Sequence, residues 1–147
     1  MRILAALFVF VAGALTTVEA GANAQLTKSL HQPWLAGVTF GAITFLCLLI
    51  ITLVAGAPLP SRAMLAATPW WAWTGGVIGA LYAMSMVVFP ERLGSATFTG
   101  ITVTAAILLS LLLDHLGWVG FERHPAGLGR LVGAAFMVGG LLLIAIF

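Results

Sequence analysis

Near the start of the chain, three polar side chains stand inside an apolar run at helical spacing: Thr16, Glu19 and Asn23. Residues three and four apart share a helix face, so one surface of one helix carries all three. A charge at the centre of a membrane helix costs roughly 2.5–3.5 kcal/mol to insert, and acids in such places are rare and functional by default. Hydrocarbon disfavours the ionised form of a carboxyl group. Glu19 is therefore a candidate proton carrier, or a counter-ion for a cation, with Asn23 beside it. The competing reading is a protonated or snorkelling acid that only hydrogen-bonds a neighbouring helix.

A second set lies at residues 73–85. Gly75, Gly79, Tyr82 and Ser85 form one stripe at helical spacing. Small residues in such a stripe let helix backbones approach closely, and Tyr82 can then stack on a cationic or planar substrate. A plain packing seam with one satisfied tyrosine fits the same pattern. Trp73, one turn inward of Trp70, could line the mouth of a cavity or anchor the helix at the interface. Further on, Ser95, Thr99, Thr102, Ala106 and Ser110 share a face, with Thr97 and Thr104 on an adjacent one. Such hydroxyls can line a polar path, but they more often bond helix carbonyls. Gly129, Gly133, Phe136 and Gly140 repeat the small-residue stripe as a packing or dimer face.

Other chemistries find little support. Asp114, His115, Glu122, Arg123 and His124 cluster in sequence, without the ligand spacing of a metal site. A solvated loop with local ion pairs explains them, and neither a metal nor a cofactor is expected. No phosphate loop, dinucleotide motif or Ser/His/Asp set can be placed, so an enzyme is not expected. Cys47 is the single cysteine and has no partner for an internal disulfide.

The elements that must position these residues follow from composition. The 147 residues are 62% hydrophobic and only 7% charged, against roughly 25% charged in soluble domains. The lipid bilayer is the solvent. There is no basic patch for nucleic acid. About 20 apolar residues span the hydrocarbon, and the apolar runs divide at His31-Gln32-Pro33, "GAPLPSR", "PER" and "DHLGWVGFERHP". A single transmembrane domain, 1–147, is expected, with five helices at about 3–27, 34–55, 69–89, 93–113 and 127–147. Continuous runs of that length do not suit a barrel, whose strands are short and alternate. Trp34, Trp70, Trp71 and Trp118 fall at helix ends, where aromatic rings settle among headgroups. With the N-terminus inside, Arg2, Arg62, Arg123 and Arg130 face the cytoplasm against Lys28 and Arg92 outside. That bias of four to two favours N-in, and its small size leaves room for insertion both ways.

The first segment supports two readings. Arg2, the apolar run from Ile3 to Leu15 and Ala22-Asn23-Ala24 have the form of a cleavable leader. The run to Leu26 is equally long enough to span, with Lys28 as its flank, and pattern alone leaves both open.

The stretches "AGALTTVEAGANAQLTKSL", "WWAWTGGVIGALY", "LGSATFTGITVTAAILLSLLLDHLGWVG" and "GRLVGAAFMVGGLLLI" resemble, in order and spacing, the YdcZ family. That family consists of small five-helix proteins of the drug/metabolite transporter superfamily, placed in the bacterial inner membrane. The resemblance implies that the segment around Asn23 is a retained helix. It implies half of a ten-helix inverted-repeat architecture, and a dimer, either an antiparallel homodimer or a heterodimer with a homologous chain. Transporter sites form near the midplane where such repeats meet. The expected function is small-molecule transport, in its most concrete form proton-coupled export of an organic cation or metabolite. Glu19 would exchange proton for substrate, and Asn23, Trp73 and Tyr82 would line the site, as in the small multidrug exporters that also use a first-helix glutamate. Gly75, Gly79, Gly129 and Gly133 would form packing or dimer interfaces. Where the family usually carries glutamine in its first helix this chain has Glu19, and where it often carries one in the fourth this chain has Ala106. A neutral site would thus be retuned to an acidic one. The alternative is a non-transporting scaffold or subunit that binds a larger membrane complex through its glycine stripes.

Overall fold

The computed structural model describes Met1 to Phe147 and is built of helices alone. Helix α1 (Arg2–Leu30) runs unbroken through the residues of the leader-like pattern. It stops where His31 turns left-handed (φ 53°), its N–H donating to the Lys28 carbonyl at 3.4 Å. Gln32 is extended, and Pro33 opens α2 (Pro33–Val54). Proline suits that first position because its missing N–H would find no partner in the helix anyway.

Gly56 (φ 62°) and the prolines at 58 and 60 end the second span. A short helix that the apolar pattern did not predict follows, α3 (Arg62–Ala67). Its N-cap is Ser61, whose Oγ accepts the Met64 N–H at 3.2 Å. Helical backbone is disfavoured just before a proline, and α3 ends ahead of Thr68-Pro69. Trp70–Trp73 then form a 3₁₀ turn leading into α4 (Thr74–Val88).

After the turn α5 (Pro90–Leu93), Gly94 (φ 84°) starts α6 (Ser95–Leu116). Gly117, left-handed at φ 68°, closes it, and the N–H groups of Gly117 and Trp118 both donate to the Leu113 carbonyl. This is the usual glycine stop of a helix. It lies beyond the stop read from the sequence at residue 113, so Asp114 and His115 belong to the last helical turn rather than to the loop. The final helix is α7 (Leu128–Ile146). Five of these stretches, Arg2–Leu30, Pro33–Val54, Trp70–Val88, Ser95–Leu116 and Leu128–Ile146, are long and apolar enough to cross a membrane.

The helices pack as two units. In residues 1–92, α1, α2 and α4 all touch one another. Lys28 Nζ lies 3.0 Å from Glu91 Oε1, tying the end of α1 to the turn that follows α4. Ala20, Ala36, Met86 and Val87 are buried, and a Cβ on Gly37 would overlap the Met84 Sδ. In lipid, apolar burial does not drive helices together, whereas close backbone approach at small residues does. Ala20 and Ala36 are buried small residues of this kind, and Gly37 makes room for the Met84 side chain. In residues 93–147, α6 and α7 form a hairpin. There a Cβ on Gly100 would come 2.8 Å from Leu141 Cδ1.

The loop of that hairpin is held by its own polar groups. The Arg123 Nε–H donates to the His115 carbonyl, the His124 N–H to the Asp114 carbonyl, and the Ala126 N–H to His115 Nδ1. Arg130 and Asp114 approach to 3.8 Å. The glycines expected at packing or dimer interfaces lie on open faces of the chain. A Cβ on Gly75, Gly79, Gly129 or Gly133 would meet nothing within 4 Å. Within this chain the seams are Gly37 and Gly100, and those four glycines leave open faces.

Candidate functional site

Depth in the membrane follows from the helix rise of about 1.5 Å per residue. Lys28, paired with Glu91, carries a charge that belongs among the headgroups. Glu19 lies nine residues earlier, about 14 Å deeper along α1, close to the middle of a hydrocarbon layer about 30 Å thick. It is half-buried, and neither ion pair of the chain, Lys28–Glu91 or Arg130–Asp114, involves it.

Asn23, one turn further on, is only 5% exposed. Its Nδ2 is buried with no hydrogen-bond partner, while its backbone carbonyl accepts from Thr27 Oγ1 at 3.0 Å. An unmet donor in apolar surroundings costs about 1–3 kcal/mol. Thr16 donates its hydroxyl proton to the Gly13 carbonyl at 2.7 Å. It presents only oxygen lone pairs to anything beside it.

Two open grooves meet at the glutamate. One, of about 490 Å³, holds Asn23, Ala22, Ile43 and Cys47. The other, of about 510 Å³, holds Thr16, Gly76, Gly79, Tyr82 and Met86. Both are lined by Glu19, Phe40, Thr44 and Leu48. The glutamate and a strip of α2 thus form the common wall of an asparagine lobe and a tyrosine lobe. Glu19, Asn23 and Tyr82, read as site residues from the sequence, come together here.

Trp73 does not join them. It ends the 3₁₀ turn, in which residues i and i+3 eclipse, so it follows Trp70 outward and is 58% exposed. The α2 wall was missed. Phe40, Thr44 and Leu48 recur every fourth residue, and the one hydroxyl among them, in an almost uniformly apolar helix, was too weak a signal to mark this face.

In the second unit, Thr102 donates to the Thr99 carbonyl of its own helix at 3.0 Å. Thr104 is buried. A further groove of about 360 Å³ runs between Leu108, Leu112, His115, Ala126 and Leu131. Its lining is apolar apart from the imidazole, whose Nδ1 already accepts a bond from the loop. No group of three or more His, Cys, Asp or Glu side chains is arranged to hold a metal ion.

An all-helical protein with five spanning-type helices, and a carboxyl group facing mid-membrane grooves, has the form of a membrane transporter. The comparison with known families agrees. The model of the drug/metabolite transporter family described as "Putative inner membrane exporter, YdcZ" matches residues 4–143. The chain belongs to this family and is a multi-pass inner membrane protein of the transporter class. No curated protein and no solved structure matches it.

Proposed function

We propose that this chain is a proton-coupled exporter of organic cations that works as a dimer, its transport site built around Glu19. The single observation that carries this reading is the position of the Glu19 carboxyl group, near mid-membrane between two grooves and outside the ion pairs of the chain. A carboxylate held there attracts either a proton or a cationic substrate. Competition between the two for one acid is sufficient to couple their movements in opposite directions. Tyr82 offers its ring to the substrate cation from the opposite wall, an attraction of about 0.5–2 kcal/mol.

The dimer is proposed for a physical reason. Only 0–11% of each spanning window is buried within the chain, and both grooves are open. Gly75 and Gly79 on α4, and Gly129 and Gly133 on α7, leave room for another helix to approach. Five spans reverse direction between one copy and the next. A homodimer in antiparallel orientation, or a pair with a homologous chain, therefore makes the inverted repeat that places transport sites at the midplane. In that assembly Trp73, which faces outward on its own protomer, reaches the site only across the protomer boundary.

The test is substrate flux with purified protein in proteoliposomes. An outward proton gradient should drive uptake of some members of a panel of organic cations, with proton movement in the opposite sense. If nothing on a panel of cations, acids and neutral metabolites moves, while one membrane protein co-purifies in fixed ratio, the chain is a scaffold subunit and the transport reading fails.

A further inference from the structure

The asparagine lobe raises a question that a cation site alone does not answer. Asn23 is as buried as any polar residue in the chain. Its carboxamide nevertheless lines a groove whose walls, apart from Glu19 and Thr44, are apolar or carry only a thiol. The Nδ2 donor has no partner. Leucine would fill the same space without the cost of an unmet donor. A polar group kept in that state is explained when something entering the groove completes it.

Resting on the cation reading of Glu19, we infer that the substrate is two-headed, a cation that also carries a hydrogen-bond acceptor such as a carbonyl or ester oxygen. The cationic end sits at Glu19, and the acceptor receives the Asn23 Nδ2–H once the carboxamide turns about χ2 and brings that buried donor to the groove. Four residues of helix separate the two along α1 by about 6 Å, so cation and acceptor are set a few bonds apart. Thr16 has its hydroxyl proton committed to Gly13 and cannot make this bond. Asn23 is thereby the specificity-determining residue, and Glu19 the one that holds the charge. Buried polar groups that a wrong ligand leaves unpaired are the strongest source of discrimination between similar molecules.

A matched pair of probes tests this: heptyltrimethylammonium, with no acceptor, and butyrylcholine, of the same chain length with an ester carbonyl. Binding of each is measured by calorimetry on the full chain in nanodiscs. The ratio of the two dissociation constants is compared between variants, which cancels the different partitioning of the probes into lipid. Going from wild type to Asn23→Leu, the advantage of the ester is expected to fall about tenfold, the worth of one hydrogen bond. Asn23→Ala, which removes the donor without added bulk, should lower the ratio as well, and Glu19→Gln should weaken both probes together. Both probes binding through Glu19, with a ratio unchanged in Asn23→Leu and Asn23→Ala, overturns this inference and leaves the cation reading standing. Failure of wild type to bind either probe overturns the cation reading, and this inference with it.

Discussion

Replacing Asn23 by leucine should make the ligand-free protein more stable. The side chain is 5% exposed and its Nδ2 lacks a partner, so the native state carries a desolvated donor at a cost of about 1–3 kcal/mol. Leucine has the same branched skeleton, with bulkier methyl groups that the adjoining groove can take up, and no donor. Burying its methyl groups gains little, because the competing environment of acyl chains is equally apolar. The Thr27 hydroxyl bonds to the backbone carbonyl of Asn23, which the substitution leaves in place. What remains is relief of the unmet donor, a gain of about 1–3 kcal/mol. Reversible unfolding in mixed micelles, followed by helical circular dichroism, measures it directly. The same variant should transport less well, since a site often holds its function at the expense of stability. A loss of stability of about 1 kcal/mol or more would refute the reasoning, because it would mean that Nδ2 is already bonded in the native assembly.

Other outcomes follow from the same geometry. Gly79 lines the tyrosine lobe, and a Cβ there meets nothing. Gly79→Leu should therefore leave the helical content of the chain unchanged by circular dichroism, and bind organic cations on the order of tenfold more weakly, about 1.4 kcal/mol, as measured by calorimetry. Gly100→Val should act the other way. Its Cβ would lie 2.8 Å from Leu141 Cδ1, and moving that side chain aside costs about 1 kcal/mol, the low end of overpacking, visible as a lower unfolding midpoint. Val119 is a β-branched residue at φ 57° in the loop after α6. Val119→Gly should raise stability by about 1 kcal/mol by releasing left-handed strain, with no change in cation binding.

Much of the helical framework is legible in the sequence because lipid leaves the backbone few choices. Each apolar run must satisfy its own hydrogen bonds, which a helix does within the segment. The breaks at His31-Gln32-Pro33 and at the prolines after Val54 are written in residues that cannot continue a helix. The end of α6 was harder to read. Asp114 and His115 look like loop residues by polarity, whereas the stop is set by Gly117 and its left-handed backbone. Helix α3 was missed because the apolar pattern has no voice in a stretch that short; its signal was the cap at Ser61.

The candidate site was half legible. Glu19, Asn23 and Tyr82 stand out because polarity inside hydrocarbon is rare, and Asn23 follows Glu19 by one turn. The α2 wall of Phe40, Thr44 and Leu48 was invisible, because which face of an almost uniformly apolar helix turns inward is decided by its neighbours. Which glycine meets a neighbour within the chain is hidden for a related reason. Spacing marks Gly75 and Gly79 as strongly as any, yet contact with Met84 falls to Gly37, and only the packing of α2 on α4 selects it.

The central claim is that Glu19 exchanges a proton for the transported cation. It is tested most directly by antiport in proteoliposomes under an outward proton gradient, recording cation uptake and proton release together for wild type and Glu19→Gln. The account predicts coupled movement of both in wild type, and loss of proton release and gradient-driven uptake in the variant. Uptake by Glu19→Gln that kept the wild-type rate and pH dependence would contradict it.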